Sequence, residues 1–423
     1  MTKASCAGSQ GLVDAHHGAE VLWTRDFILI CLANLVVFLG FKMLMPTMPV
    51  YVESLGGRKS VQGLVMGVFT LSAVVIRPPV GWLLDTIGRK VALLFGLVVF
   101  AISAALYGWV SSIGLLLIIR VIHGFGWGFS TTASGTIAAD VVPRTRLAEG
   151  MGYFGLASTV AMAVAPALGL FIAGSYGFPL LFGTSAGLAL TALGLASLVR
   201  EHGPHGREIG RDSAAVQEGR GRSPASRAAF YEPKAVLPGA VVFLSNMSYG
   251  AIVTFLALYA RERGIANIGP FFGVFAVVIA FARPLLGAFA DRRGFDTVVI
   301  PGLIAVAVSM VLLSWARSLA TFFLAAVVAG AGFAAVQPSM QALAVRGLPA
   351  VRRGAANSTF YIGFDLGIGV GAMLLGVISE FAGYSGMYLA AGLPPAFALA
   401  VYSRPGSRAR GGGKGDSTPT TEN

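Results

Sequence analysis

Six ionisable side chains stand inside otherwise apolar runs of this chain: Lys42, Arg77, Arg120, His123, Arg283 and Asp365. Charges at membrane depth are costly unless paired or hydrated, and they mark ion or substrate paths. Asp365, in I-G-F-D-L-G-I-G, is the only acid well inside such a run. It is a candidate proton carrier or the partner of a buried cation; a structural hydrogen bond between helices is the plainer alternative. Arg120 shares a helical face with His123, Gly124 and Trp127, at i+3, i+4 and i+7. The face reads either as a cavity lining that handles protons or binds an anion, or as a buried Arg satisfied by backbone carbonyls. His123 has the chemistry to titrate near neutral pH. Lys42, in G-F-K-M-L-M-P, together with Arg120 would make a central pocket electropositive and suited to carboxylates. Asn34, Asn246, Tyr249, Gln337, Asn357 and Tyr361 are uncharged polar groups in or beside the same runs, able to line a cavity or to knit helices together. No nucleophile–base pair, metal-ligand spacing or Gly-rich loop ending in Lys-Ser/Thr is present in the sequence. The expectation is therefore no enzyme, no cofactor, no metal and no ATPase.

A repeat sets these residues in order. R-P-P-V-G-W-L-L-D-T-I-G-R-K runs from Arg77 to Lys90, and R-P-L-L-G-A-F-A-D-R-R-G from Arg283 to Gly294. Arg77/Arg283, Gly81/Gly287, Asp85/Asp291 and Gly88/Gly294 all differ by 206 positions. Each copy closes an apolar run of about twenty residues, the length that crosses a bilayer. Asp85, with Arg89 and Lys90, is a candidate gate: its pairing would form when one side closes and break when it opens. Asp291, with Arg293, is the second-half counterpart. Arg77 and Arg283 each precede a Pro and share a structural role, binding the cytoplasmic loop of the same half, with headgroup snorkelling as the alternative. Arg120 has no such twin, since the same offset lands on Ala326.

These positions require an all-α membrane protein. The chain has 423 residues, 55% hydrophobic and 12% charged, with a mean hydropathy of +0.75. Soluble domains carry about 25% charge. A membrane β-barrel would show short alternating strands instead of long continuous runs. Twelve spans are expected, six in a bundle over 27–199 and six over 235–403. Residues 200–234 read as a polar linker, 1–26 as an N-terminal tail whose following span is a retained helix, and 404–423 as a disordered tail. Of the 31 Lys and Arg, 22 fall on the side of the termini and linker and five on the other. By the positive-inside rule the termini and linker are cytoplasmic. The net charge of +12 is thus membrane topology, with no nucleic-acid partner implied. Cys6 and Cys31 lie too far apart in character, tail and span, to expect a disulfide.

The G-W-L-L-D-T-I-G-R-K stretch resembles the signature between the second and third helices of the major facilitator superfamily, matching at Gly81, Asp85, Gly88, Arg89 and Lys90. R-V-I-H-G-F-G-W-G is similar to the fourth-helix motif of proton-coupled members, at Arg120, Gly124 and Gly126. Gly155, Pro166 and Gly169 match the fifth-helix motif of exporters, although Ala165 and Leu170 replace two of its glycines. The resemblance covers residues 27–403 and implies two pseudo-symmetric six-helix bundles, alternating access, and a monomer exchanging a small molecule for protons across the cell membrane. It implies a bend at Pro166 with close packing at Gly155 and Gly169. The N-terminal wording is similar to exporters of opine-type metallophores such as staphylopine and to multidrug relatives. Broad drug efflux and a non-transporting membrane receptor or scaffold are the competing readings.

Overall fold

A backbone in hydrocarbon must satisfy its own N–H and C=O groups, so the apolar runs fold as helices. The computed structural model describes residues 22–143, 146–200, 232–265, 267–348 and 350–403. Most of the expected linker and both tails, and the side chains of Asp85 and Asp291, lie outside the described residues. Among the described residues the first half contains α1 (Arg25–Ser54), α2 (Lys59–Ile87), α3 (Arg89–Leu106), α4 (Ile113–Val141), α5 (Leu147–Tyr176) and α6 (Phe178–Ser197). The second half contains α7 (Pro233–Glu262), α8 (Gly269–Arg293), α9 (Asp296–Ser314), α10 (Leu319–Val345), α11 (Ala350–Ala390) and α12 (Leu393–Tyr402).

The apolar stretch Ala355–Tyr402 is 48 residues long. At about 1.5 Å per residue it is more than twice the ~30 Å hydrocarbon core. It breaks at Gly383, where φ is 66° and ψ 178°, so α11 makes one crossing before Gly383. The rest of α11 and α12 make the next, which gives twelve crossings. The two expected bundles of six are therefore present, with the last two spans joined through a single glycine.

The internal repeat is written in the backbone as well as in the motif. Gly88 (φ 94°) and Gly294 (φ 91°) turn the chain between α2 and α3 and between α8 and α9. Gly177 (φ 88°) and Gly383 (φ 66°), again 206 apart, turn it between α5 and α6 and within α11. Side chains other than Gly are strained in this region, which is why glycine recurs there. Ser112 and Ser318 hold the same offset, and each accepts a hydrogen bond at the N-terminus of its helix, α4 and α10. At the hairpin ends, Arg89 of α3 pairs with Asp140 of α4. The positions 206 further on are Phe295 and Arg346, and Arg346 lies 5.5 Å from the Phe295 ring centre. One contact survives with different chemistry, an ion pair in the first half and a cation–π contact in the second.

The halves meet along α2 and α11. Gly63 and Gly67 of α2 lie against Ala372, Gly369 and Met373 of α11, and Gly376 lies against Gly63 and the Lys59 carbonyl. A Cβ at Gly63 or Gly67 would overlap those atoms. Small residues allow such close approach, and in lipid close packing drives association. This seam lies in the half of the bilayer away from the α2–α3 hairpin. Glu53–Arg261 (3.0 Å), Lys59–Glu262 (3.8 Å) and Gln62–Tyr384 (3.2 Å) also join the halves there. Gly269 of α8 presses on Ala167 of α5 on the same side. Towards the hairpin face, Gly81, Gly152, Gly155 and Gly287 adjoin open space. The described contacts between the halves are thus concentrated on the face away from the hairpins.

Candidate functional site

Where the seam ends, the charged residues gather. Arg77 lies ten residues before the end of α2 at Ile87, about 15 Å along the helix. Its guanidinium forms an ion pair with Asp365 of α11, bridging the two halves. Both side chains keep part of their surface free, 25% for Arg77 and 20% for Asp365, within membrane-spanning helices. Asp365 also acts electrostatically on the ammonium of Lys42 from α1. Lys42 otherwise touches the Met45 sulfur at 3.5 Å and sits 5.6 Å from the Phe41 ring centre.

Tyr361, one turn before Asp365 on α11, joins this group to a second one. It lies within electrostatic range of Asp365, Arg77 and Arg283, and its hydroxyl accepts from Gln341 Nε2 at 3.0 Å. Arg283 of α8 donates from Nη2 to Gln337 Oε1 of α10 at 3.3 Å. Gln337 Nε2 donates to Asn246 Oδ1 of α7 at 3.1 Å, and Asn246 Nδ2 donates to the Phe364 carbonyl at 3.0 Å. Two groups therefore meet at Tyr361: Lys42 and Arg77 with the Asp365 carboxylate, and Arg283 with neutral partners.

Four expectations change. Arg120 does not line this cluster. It is fully buried within the first half, where Nε donates to the Val65 carbonyl at 3.3 Å and Nη2 reaches the Met66 sulfur at 3.2 Å. Its guanidinium lies 4.8 Å from the Phe69 ring centre. The backbone-satisfied alternative describes this geometry, because α2 and Tyr107 close over the α4 face. His123 is likewise fully buried, with Nδ1 2.8 Å from the Tyr107 hydroxyl. Second, Arg77 does not hold a loop of its own half: it reaches across to Asp365. Third, Gly155 adjoins open space instead of packing closely, whereas Gly169 presses on the Met43 backbone. Pro166 lies inside α5, which continues through it. Fourth, Lys42 and Arg120 are not brought together: Lys42 is oriented towards Asp365 and its partner Arg77, while Arg120 is held by Val65 and Met66.

The remaining positions are plain. Trp127 stacks on Phe41 of α1, ring centres 4.0 Å apart. Asn34 Nδ2 donates to the Phe154 carbonyl at 3.4 Å, and Asn34 Oδ1 is buried without a partner. Arg293 lies 5.0 Å from the Phe289 ring centre on its own helix. Lys90 follows Arg89 in the first turn of α3. Sequence reasoning missed Gln341, Tyr107 and Asp140. Asp140 had a signal: the basic pair Arg89–Lys90 starts α3 where α4 ends, and α4 carries an acid there.

A twelve-crossing helical membrane protein with two repeated halves and charges at their interface is a membrane transporter, not an enzyme. The chain belongs to the Major Facilitator Superfamily, whose family model matches residues 30–294 and 266–421. It is 26% identical over 374 residues to the staphylopine export protein of Staphylococcus aureus, covering 87% of this chain and 92% of that one. It is 28% identical over 411 residues to the multidrug resistance protein MdtG of Enterobacter lignolyticus, covering 91% and 93%. In fold it is similar to a bacterial homologue of the human lysosomal transporter Spinster, with a TM-score of 0.73 and 17% identity, covering 89% and 95%.

Proposed function

We propose that the chain is a secondary active exporter that exchanges a small metabolite for protons by alternating access, with an opine-type metallophore as the substrate. The observation that carries this reading is the Arg77–Asp365 pair, an ion pair that joins the two halves between membrane-spanning helices. Protonating Asp365 removes its attraction for Arg77 and Lys42 together. A proton at that carboxylate therefore alters the energy of a contact between the halves, which is what coupling requires. One proton moving down about 100 mV and about one pH unit supplies roughly 3.7 kcal/mol, enough for roughly a 500-fold substrate gradient.

The positive-inside bias sets the hairpin face in the cytoplasm of a cell-membrane protein. The seam is then external, and the hairpin face, with Gly81, Gly155 and Gly287 beside open space, is where a cytoplasmic substrate enters. Asp85 with Gly88, and Asp291 with Gly287, belong to hairpins that must close against the other half when the seam opens. Arg120, His123 and Tyr107 lie buried behind α2 and do not meet substrate. The exporter-like fifth helix and the similarity to the staphylopine and multidrug exporters support export over uptake.

Broad multidrug efflux is the second reading, favoured by the MdtG similarity. The test uses purified protein in liposomes with an imposed pH gradient. Staphylopine, driven uphill and halted by a protonophore, is the expected result. Uphill movement that survives collapse of the proton and charge gradients would exclude proton exchange. Ethidium in place of staphylopine would select the second reading.

A further inference from the structure

We infer that Arg283 is the residue that takes a carboxylate of the transported molecule, held ready for it by Gln337 and Asn246. This rests on the anionic-metabolite reading above and names the atoms that serve it. Arg283 and Arg77 occupy equivalent places in the two halves, but among the described residues only Arg77 has an acid. The described partners of Arg283 are neutral: Gln337 through Nη2, and the phenols of Tyr361 and Tyr249 at electrostatic range. Its Nε is buried and has no hydrogen-bond partner. A guanidinium at this depth without a counter-charge is costly, and an N–H left unbonded adds to that cost. A carboxylate at the guanidinium would supply the missing counter-charge, and Arg receives carboxylates with two parallel N–H groups.

The support is directional. The Phe364 carbonyl accepts from Asn246 Nδ2, so Asn246 Oδ1 is turned towards Gln337 Nε2. Gln337 must then present Oε1 to Arg283 Nη2. Each amide is used at both ends, and the guanidinium is fixed before any ligand arrives. That lowers the ordering cost of binding. Tyr361, exposed by 42% and bonded to Gln341, forms the rim between this cation and Asp365. A zwitterion with an amine and a carboxylate would span the two, with its carboxylate at Arg283.

The experiment measures equilibrium binding of a simple opine, an N-carboxyalkyl amino acid, and of its methyl esters to the full-length protein in detergent. Wild type is expected to bind the free acid. Arg283→Gln should weaken that binding by about tenfold or more and leave the methyl ester unchanged. Arg283→Lys should recover part of the loss. Gln337→Glu keeps Arg283 and its fold but gives it an internal carboxylate, and should weaken the free acid similarly. Equal affinity of wild type and both Arg283→Gln and Gln337→Glu for the free acid overturns the assignment, even when proton-driven export holds. A wild type that binds no carboxylate probe overturns it too, and the metallophore reading with it. If Arg283→Gln misfolds, Gln337→Glu alone decides.

Discussion

Arg77 and Arg283 begin as the same residue in a duplicated motif, and the molecule has given them different company. Arg77 faces an acid from the other half; Arg283 faces an amide from its own. An Arg–carboxylate pair is sensitive to the proton on the carboxylate, so Arg77 belongs to a switch. An Arg held by a neutral amide keeps its charge field unsatisfied, so Arg283 belongs to a receptor. The symmetric scaffold supplies two equivalent cations, and a single unpaired substitution makes them unequal. The position 206 residues before Asp365 is Thr159, which carries no charge.

The largest effect that bears on this contrast is expected from Asp365→Asn. It should abolish uphill export in liposomes, from up to roughly 500-fold accumulation to none, while downhill exchange persists. Uphill export by the variant would remove Asp365 from coupling. Next come double-mutant cycles read in export rate or thermal stability. Arg77→Gln and Asp365→Asn should be coupled by about 1–3 kcal/mol, whereas Arg283→Gln and Asp365→Asn should add within about 0.5 kcal/mol. Equal coupling in both cycles would erase the distinction between the arginines. A third variant acts on the seam beside the switch. Gly67→Val should force α2 from α11 at a cost of about 1–3 kcal/mol. A cysteine placed at Gln62, in a background with Cys6 and Cys31 replaced by Ser, should then react several-fold faster with an impermeant thiol reagent. Gly155→Val, which meets open space, should not change that rate. The smallest effects belong to the hairpin ties. Asp140→Asn and Arg346→Gln should each cost about 1 kcal/mol or less, seen as a small fall in melting temperature with export largely kept.

The fold was legible because bilayer thickness converts directly into run length, and because the repeat fixed the count of halves. The turns were legible too: a glycine repeated at Gly88 and Gly294 reports a backbone angle that other residues resist. The site was legible only in part. Lys42 and Asp365 stood out as charges in apolar runs, and both lie in the cluster. Arg120 stood out by the same rule and lies elsewhere, because a pattern along one helix gives a face but not the neighbour that covers it. Here Tyr107 and α2 cover it. Arg77 was read as a partner of its own half, since its link to Asp365 spans 288 positions and rests on the packing of α2 against α11. The Gln337–Asn246 relay was invisible for the same reason, as each amide alone is an ordinary polar group in a helix.

The seam of Gly63, Gly67, Gly369 and Gly376 has a kinetic meaning. Backbone touches backbone there, Gly63 on Ala372, Gly67 on Gly369 and Gly376 on Lys59, so a small separation breaks the contact between main chains. Dispersion forces fade within about an ångström of separation. Such a joint has no half-open position to rest in: it is shut or it is gone. The joint on the face away from the hairpins should therefore behave as a latch, releasing in a single event after long waits, and its dwell time should respond to lipids that change lateral pressure, and to salt only through the Glu53–Arg261 and Lys59–Glu262 pairs.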